Sequence, residues 1–278
     1  MNFRRVILLD LASLGIGESS DANQFDSVGA DTLRHAIEQA DIPIQIPHLE
    51  SLGLANIFWQ NPLTQFESNE YPNGFFGRIQ LASKSNTKIT GIREMFDYQA
   101  PTRTASVLDS IPRQHPKLST TIISYFQSYF ASQEAAQLVD IDNDVEAFKL
   151  LKDQLKIVDS GLLLVRLQAL EQAADDGNAN QYIASLNDID LHIGKLLSSL
   201  HHNDLVIITS SYANDFTLKG AQPTREYLPL LTYTPNNVSG HALGIRRTLG
   251  DIGKALIDIF SIDEDPKYQI HGFLGEMH

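Results

Sequence analysis

A chain of 278 residues with 42% hydrophobic and 20% charged residues has the balance of a globular protein, enough for one large α/β domain or two small ones. Its formal net charge of −13, with no extended run of Lys or Arg, excludes a groove for nucleic acid. The absence of cysteine excludes a disulfide framework, a thiolate zinc site and a cysteine nucleophile, and suits the cytoplasm.

In chain order, the start is basic and then apolar, but the apolar run ends at Asp10, too early for a secretory leader. No stretch approaches the roughly 20 apolar residues of a membrane span, so no membrane association is expected. Apolar strand-like runs occur at Val6–Leu11, Ile42–Ile46, Thr120–Phe126, Leu162–Leu167, Leu205–Thr209 and Leu228–Thr232. Several are apolar throughout, as strands buried on both faces are. Between them lie helical patterns. Asp31 reads as an N-cap before the stripe Leu33, Ala36, Ile37, Ala40. Tyr182, Leu186, Ile189, Ile193, Leu196 and Leu200 keep a period near 3.6, and a last helix runs from about Leu249 to Phe260. On the 182–200 helix, Asp188, Asp190 and His192 fall on different faces and read as solvated rather than metal-binding. Phe58–Gly77, with Pro62, Pro72, Asn73 and Gly74, reads as a long loop. The pattern implies a single α/β domain over residues 1–278, its mostly parallel sheet flanked by helices.

Generic motifs do not name a chemistry. Gly15-Ile16-Gly17 follows a strand but lacks the third glycine of a dinucleotide fingerprint, and reads as a turn. Arg4-Arg5 and Arg246-Arg247 read as solvated surface pairs. His201-His202 reads as a helix end, where a cation suits the dipole.

One family resemblance runs through nearly the whole chain. Leu11-Ala12-Ser13-Leu14-Gly15-Ile16-Gly17-Glu18, then Asp31-Thr32, Pro47-His48-Leu49 and Leu52–Ile57, resemble successive blocks of the phosphopentomutases. Thr90-Gly91, Asn214-Asp215, Thr224-Arg225-Glu226-Tyr227-Leu228-Pro229 and the closing helix continue it in the same order. The resemblance implies an alkaline-phosphatase-like core. In that family two Mn²⁺ ions and a phosphorylated threonine move phosphate between C1 and C5 of a pentose.

Carried over position by position, that chemistry is missing. The first-strand metal aspartate falls on Ala12 and the nucleophilic threonine on Lys88. The remaining ligand positions fall on Leu170, Asp175, Ser211, Tyr212 and Pro223, of which only Asp175 keeps a carboxylate. The family's substrate-binding cap is also absent, its place closed by a join near Asp97–Ala100 before Pro101-Thr102-Arg103-Thr104. The chain is therefore expected to be non-catalytic, with no metal and no cofactor. It would serve as a binding or assembly module whose uncapped cleft is covered by a protein partner or a second copy.

A rewired enzyme acting on a phosphate-containing small molecule is the alternative. It would draw on Asp10, Lys88, Asp175 and Asp215, with Asp176 adjoining. The plainer reading makes Asp10 a mid-strand carboxylate bound to loop amides, Asp175-Asp176-Gly177 a turn, and Lys88 a solvated side chain. A working phosphopentomutase is the third and weakest reading.

Overall fold

The computed structural model describes residues 3–58, 61–99, 104–126, 130, 135–219, 223–263 and 272–277. Strand β1 (Arg5–Leu11) leads into helices α1 (Thr32–Gln39), α2 (Pro47–Ser51) and α3 (Leu54–Ile57), then β2 (Phe75–Ile79) and α4 (Thr90–Phe96). A ribbon of β3 (Asp97–Gln99) and β4 (Thr104–Ser106) precedes α5 (Val107–Gln114), β5 (Ser119–Ser124) and β6 (Gln137–Val139). Next come α6 (Asp144–Ile157), β7 (Gly161–Leu167), α7 (Ala169–Asp175) and α8 (Ala179–Leu197). The chain closes with β8 (Asp204–Thr209), β9 (Leu228–Tyr233), β10 (Ala242–Arg246) and α9 (Gly250–Phe260).

Eight of these strands form one sheet in the order β10-β2-β9-β8-β1-β7-β5-β6. Only β9 runs against its neighbours; β8, β1, β7, β5 and β6 pair in parallel, as do β2 and β10. The expected α/β class with a mostly parallel sheet is observed. Every residue of β1, β7 and β8 is buried, because helices cover both faces. Alternate residues of β1 feed two cores: Ile7, Leu9 and Leu11 pack toward α1, α2, α6 and α8, while Val6 and Leu8 pack toward α4, α5 and α9.

Several expectations need correction. Ile42–Ile46 is not a strand. Its backbone binds side chains of α8 instead: Asn180 Oδ1 accepts from the Asp41 amide and Asn187 Oδ1 from the Gln45 amide, each at 2.7 Å. The expected loop over Phe58–Gly77 ends earlier, because Phe75–Ile79 forms β2, held between β9 and β10. Arg5 is not solvated; it is buried against Asp204 at 2.6 Å and donates to the Leu155 and Val158 carbonyls. Arg246 likewise pairs with Asp251 at 2.7 Å and Glu276 at 2.8 Å. His201-His202 lies beyond α8, which ends at Leu197.

Asp190 is fully buried rather than solvated. Its oxygens accept from the His48 and Leu49 amides at 3.1 and 2.7 Å, so α8 caps the start of α2. Asp188 and His192 pair more loosely on the outer side, at 3.8 Å. The N-cap reading of Asp31 holds, its side chain accepting from the Arg34 amide. At the expected join, Asp97–Gln99 begins the β3–β4 ribbon; Ala100 and Pro101-Thr102-Arg103 lie outside the described residues. Among the described residues no helix is long and apolar enough to cross a membrane.

Candidate functional site

Parallel α/β sheets place their sites beyond the carboxyl ends of the strands, and here β1, β7 and β8 deliver a charged cluster to that edge. The register sets Asp10 of β1 directly beside Arg166 of β7. Asp10 is the penultimate residue of its strand, closer to the edge than a mid-strand position. One Asp10 oxygen accepts from the Ser211 amide at 2.8 Å and the other from Arg166 Nη1 at 2.5 Å. The expected loop-amide contact is present, joined by an ion pair.

Arg166 is 1% exposed. Its Nη1 also reaches Ser211 Oγ at 2.5 Å, and its Nη2 lies 3.3 Å from Glu171 on α7. The guanidinium sits 5.7 Å from the ring centres of Tyr125, Phe126 and Tyr212, an aromatic wall that favours a cation. Burial raises the Glu171 pKa; Lys88 opposes that rise. The Tyr125 hydroxyl donates to the same carboxylate. Lys88 stands between Glu171 at 2.9 Å and Asp175 at 2.6 Å, with the Tyr212 ring centre 5.9 Å away. Partial burial opposes its charge, but the two carboxylates outweigh this and raise its pKa. Lys88 is therefore not the solvated side chain expected. Burial and the field of Glu171 raise the Tyr212 hydroxyl pKa well beyond the ordinary tyrosine range, which keeps it neutral. Gly91 brings the start of α4 against this edge: a Cβ there would fall 1.7 Å from the Ser211 carbonyl.

The positions singled out by the family resemblance gather here with different chemistry. Ala12 and Leu170 are each 1% exposed and offer no donor. Ser211 bonds Arg166, Tyr212 packs its ring over the cations, and the Pro223 carbonyl accepts from Asn86. Asp175 is the last residue of α7 and receives both Lys88 and the Asn214 amide; Asp176 and Gly177 follow as the expected turn.

Asp215 does not join them. It is fully buried in a second cluster, where its Oδ2 accepts from the Asp31 amide at 2.9 Å and lies 2.6 Å from His35 Nδ1. Glu226 anchors that cluster, accepting from the Thr32 amide, the Thr32 hydroxyl and the Thr224 hydroxyl at 2.9, 2.6 and 2.7 Å. Complete burial raises its pKa from 4.5 to about 7 despite these donors. Gly15 makes room for it; a Cβ there would sit 2.1 Å from Glu226 Oε2. The turn Gly15-Ile16-Gly17, Asp31-Thr32 and Arg225-Glu226 thus form scaffold beside the edge.

Two residues at the heart of the site, Arg166 and Glu171, escape a reading by family positions. Their one signal in the sequence is a lone arginine in the otherwise apolar strand Gly161–Leu167, which needs a buried counter-charge.

The comparisons with known proteins agree with this architecture. The fold is similar to alkaline phosphatase from the Antarctic bacterium TAB5, with a TM-score of 0.55 at 12% identity, covering 95% of this chain and 100% of that one. A lipoteichoic acid synthase from Listeria monocytogenes matches at TM-score 0.54 and 11% identity, over 94% of this chain and 73% of the other. Residues 129–264 match the Metalloenzyme superfamily. The class is thus an alkaline-phosphatase-like α/β fold, with just under half of the chain similar to the metalloenzyme superfamily. More particularly, the chain is similar, at low identity, to phosphopentomutases. It is 22% identical to that of Caldanaerobacter subterraneus over 99% of this chain and 98% of the relative. It is 21% identical to that of Levilactobacillus brevis over the full length of both.

A pair of divalent ions needs several oxygen or nitrogen donors converging on each cation. The residues present do not fit such a pair. Asp10, Glu171 and Asp175 are held by the side-chain cations Arg166 and Lys88, and the adjoining positions carry Ala12, Leu170 and Tyr212. Among the described residues no group of three His, Cys, Asp or Glu is placed to hold a metal ion.

Proposed function

We propose that this chain is a non-catalytic, phosphopentomutase-like protein of the cytoplasm whose core serves as a binding or assembly module. The observation that carries the reading is the Asp10–Arg166–Glu171–Lys88–Asp175 chain of ion pairs. It spends on the protein's own cations the carboxylates that two-metal phosphoryl transfer would require. Lys88 at the nucleophile position has no hydroxyl to phosphorylate, and as an ammonium with a raised pKa it is no nucleophile either.

The alignment with the Caldanaerobacter relative extends over 392 positions for a chain of 278 residues, in keeping with the loss of a cap at the β3–β4 ribbon. Beside α4 an open cavity of about 400 Å³, lined by Ser83, Ser85, Thr87, Ile89, Thr90 and Arg93, offers a surface for a protein partner or a second copy. A rewired enzyme would need Asp10 and Asp175 free for substrate or metal, whereas each is already paired.

Metal content of the purified protein, with melting temperature in the presence and absence of excess Mn²⁺, tests the reading. Metal-free protein with an unmoved melting temperature and no turnover of phosphate esters is the expected result. Stoichiometric Mn²⁺ with a clear upward shift would overturn it, since ligand at a hundredfold excess over Kd adds about 2.7 kcal/mol.

A further inference from the structure

Helices α6 and α8 lie on the same face of the sheet and leave a groove between them that shares no lining residue with the charged edge. It encloses about 450 Å³, within the range of roughly 300–1,000 Å³ typical of small-molecule sites. Its floor is apolar, built from Phe148, Leu151 and Leu155 of α6 and Leu196 of α8. Its rim is cationic. Lys149 and Lys152 stand on one wall and Lys195 on the other, all exposed.

Lys156 pairs with Asp153 at 2.7 Å and Lys254 with Asp258 at 2.7 Å, whereas no described residue forms a hydrogen bond or ion pair with Lys149, Lys152 or Lys195. In a chain of net charge −13, three ammonium groups with no hydrogen-bonded or ion-paired carboxylate among the described residues thus line one apolar trough, with Asp153 adding a weaker attraction at Lys149 and Lys152.

The two features select a ligand together. A small polar anion would satisfy the rim and leave the floor wet. A plain hydrocarbon would fill the floor and leave the positive charges repelling one another across the gap. We propose that this groove binds a single-chain anionic amphiphile, a long-chain carboxylate. Its acyl chain would lie along Phe148, Leu151, Leu155 and Leu196, with its headgroup among the three lysines. The lysine stems are themselves apolar and fold over such a chain while their heads hold the carboxylate. The trough runs beside α6 from Val145 to Leu155, about 15 Å of helix, a span suited to an extended acyl chain and short for a docked partner helix.

Calorimetric titration of the full-length protein with dodecanoate below its micellar concentration is the test, with dodecanol and acetate as controls. Saturable one-site binding of dodecanoate is expected, at least tenfold weaker for dodecanol and absent for acetate. The double variant Lys152→Glu/Lys195→Glu changes only exposed side chains; with an unchanged melting temperature it should weaken dodecanoate binding at least tenfold. No saturable binding, or equal affinity in the double variant, would overturn the proposal. So would an acidic amphipathic peptide binding at the groove where dodecanoate does not, which would assign the surface to a protein partner. The outcome is independent of whether the chain is catalytic.

Discussion

A buried guanidinium has few neighbours that can answer its charge, and among the described residues the carboxylates paired with Arg166 are Asp10 and Glu171. Replacing it with methionine leaves two buried carboxylates without that partner. Breaking a buried pair in this way costs about 3–5 kcal/mol, so Arg166→Met should lower the melting temperature by about 10 °C. The double variant Asp10→Asn/Arg166→Met should recover part of that loss, and calorimetric melting of both checks the order. Glu226 gives a second prediction at this scale. Its pKa is raised in the fold to about 7 from 4.5, so the folded state holds the proton more tightly than the unfolded chain. Its contribution is complete below pH 4.5 and is lost as pH rises through about 7. Glu226→Gln cannot ionise, so between pH 5 and pH 8 its stability should fall less than that of the wild type, by up to about 3 kcal/mol. Denaturant midpoints at the two pH values measure the difference.

Among the elements, α8 does more than pack an apolar stripe. Through Asp190 it caps α2, and through Asn180 and Asn187 it carries the backbone between α1 and α2. Asp190→Ala leaves one buried and one half-buried amide unpaired and should cost about 1–3 kcal/mol, seen as earlier exchange of the His48 and Leu49 amides. The same contacts explain a misreading. Pro-Ile-Gln-Ile looks like a strand by composition, but its partners are side chains of a helix 140 residues away in sequence, which no local pattern reveals. Strands β1, β7, β8 and β9 were legible because each is a near-continuous apolar run, the mark of burial on both faces, and β5 because of its β-branched Thr and Ile residues. Phe75–Ile79 was not, because Gly77 interrupts it; that glycine is needed where a Cβ would lie 2.7 Å from the Gly244 carbonyl of β10. The charged edge was half legible. Asp10, Lys88 and Asp175 stand out as polar residues at meaningful positions, whereas their linkage through Arg166 and Glu171 depends on cross-strand register and the path of α7.

For the molecule as a whole, the module reading predicts a species larger than one chain in light scattering, or a partner that protects the Ser83–Arg93 surface from hydrogen exchange. A strictly monomeric protein with no protected surface would count against it. The central ion pair also bears on how the sheet is put together. Asp10 and Arg166 face each other only in the native alignment of β1 and β7; sliding either strand by one residue sends the two side chains to opposite faces. Each would then be an unmatched charge inside an apolar layer, far costlier than a misplaced leucine. Runs such as Leu162-Leu163-Leu164-Val165 carry little alignment information of their own, since every shift buries another aliphatic residue. The pair therefore acts as a proofreading mark for strand alignment, rejecting the near-equivalent sheets that so uniform an interior would otherwise tolerate.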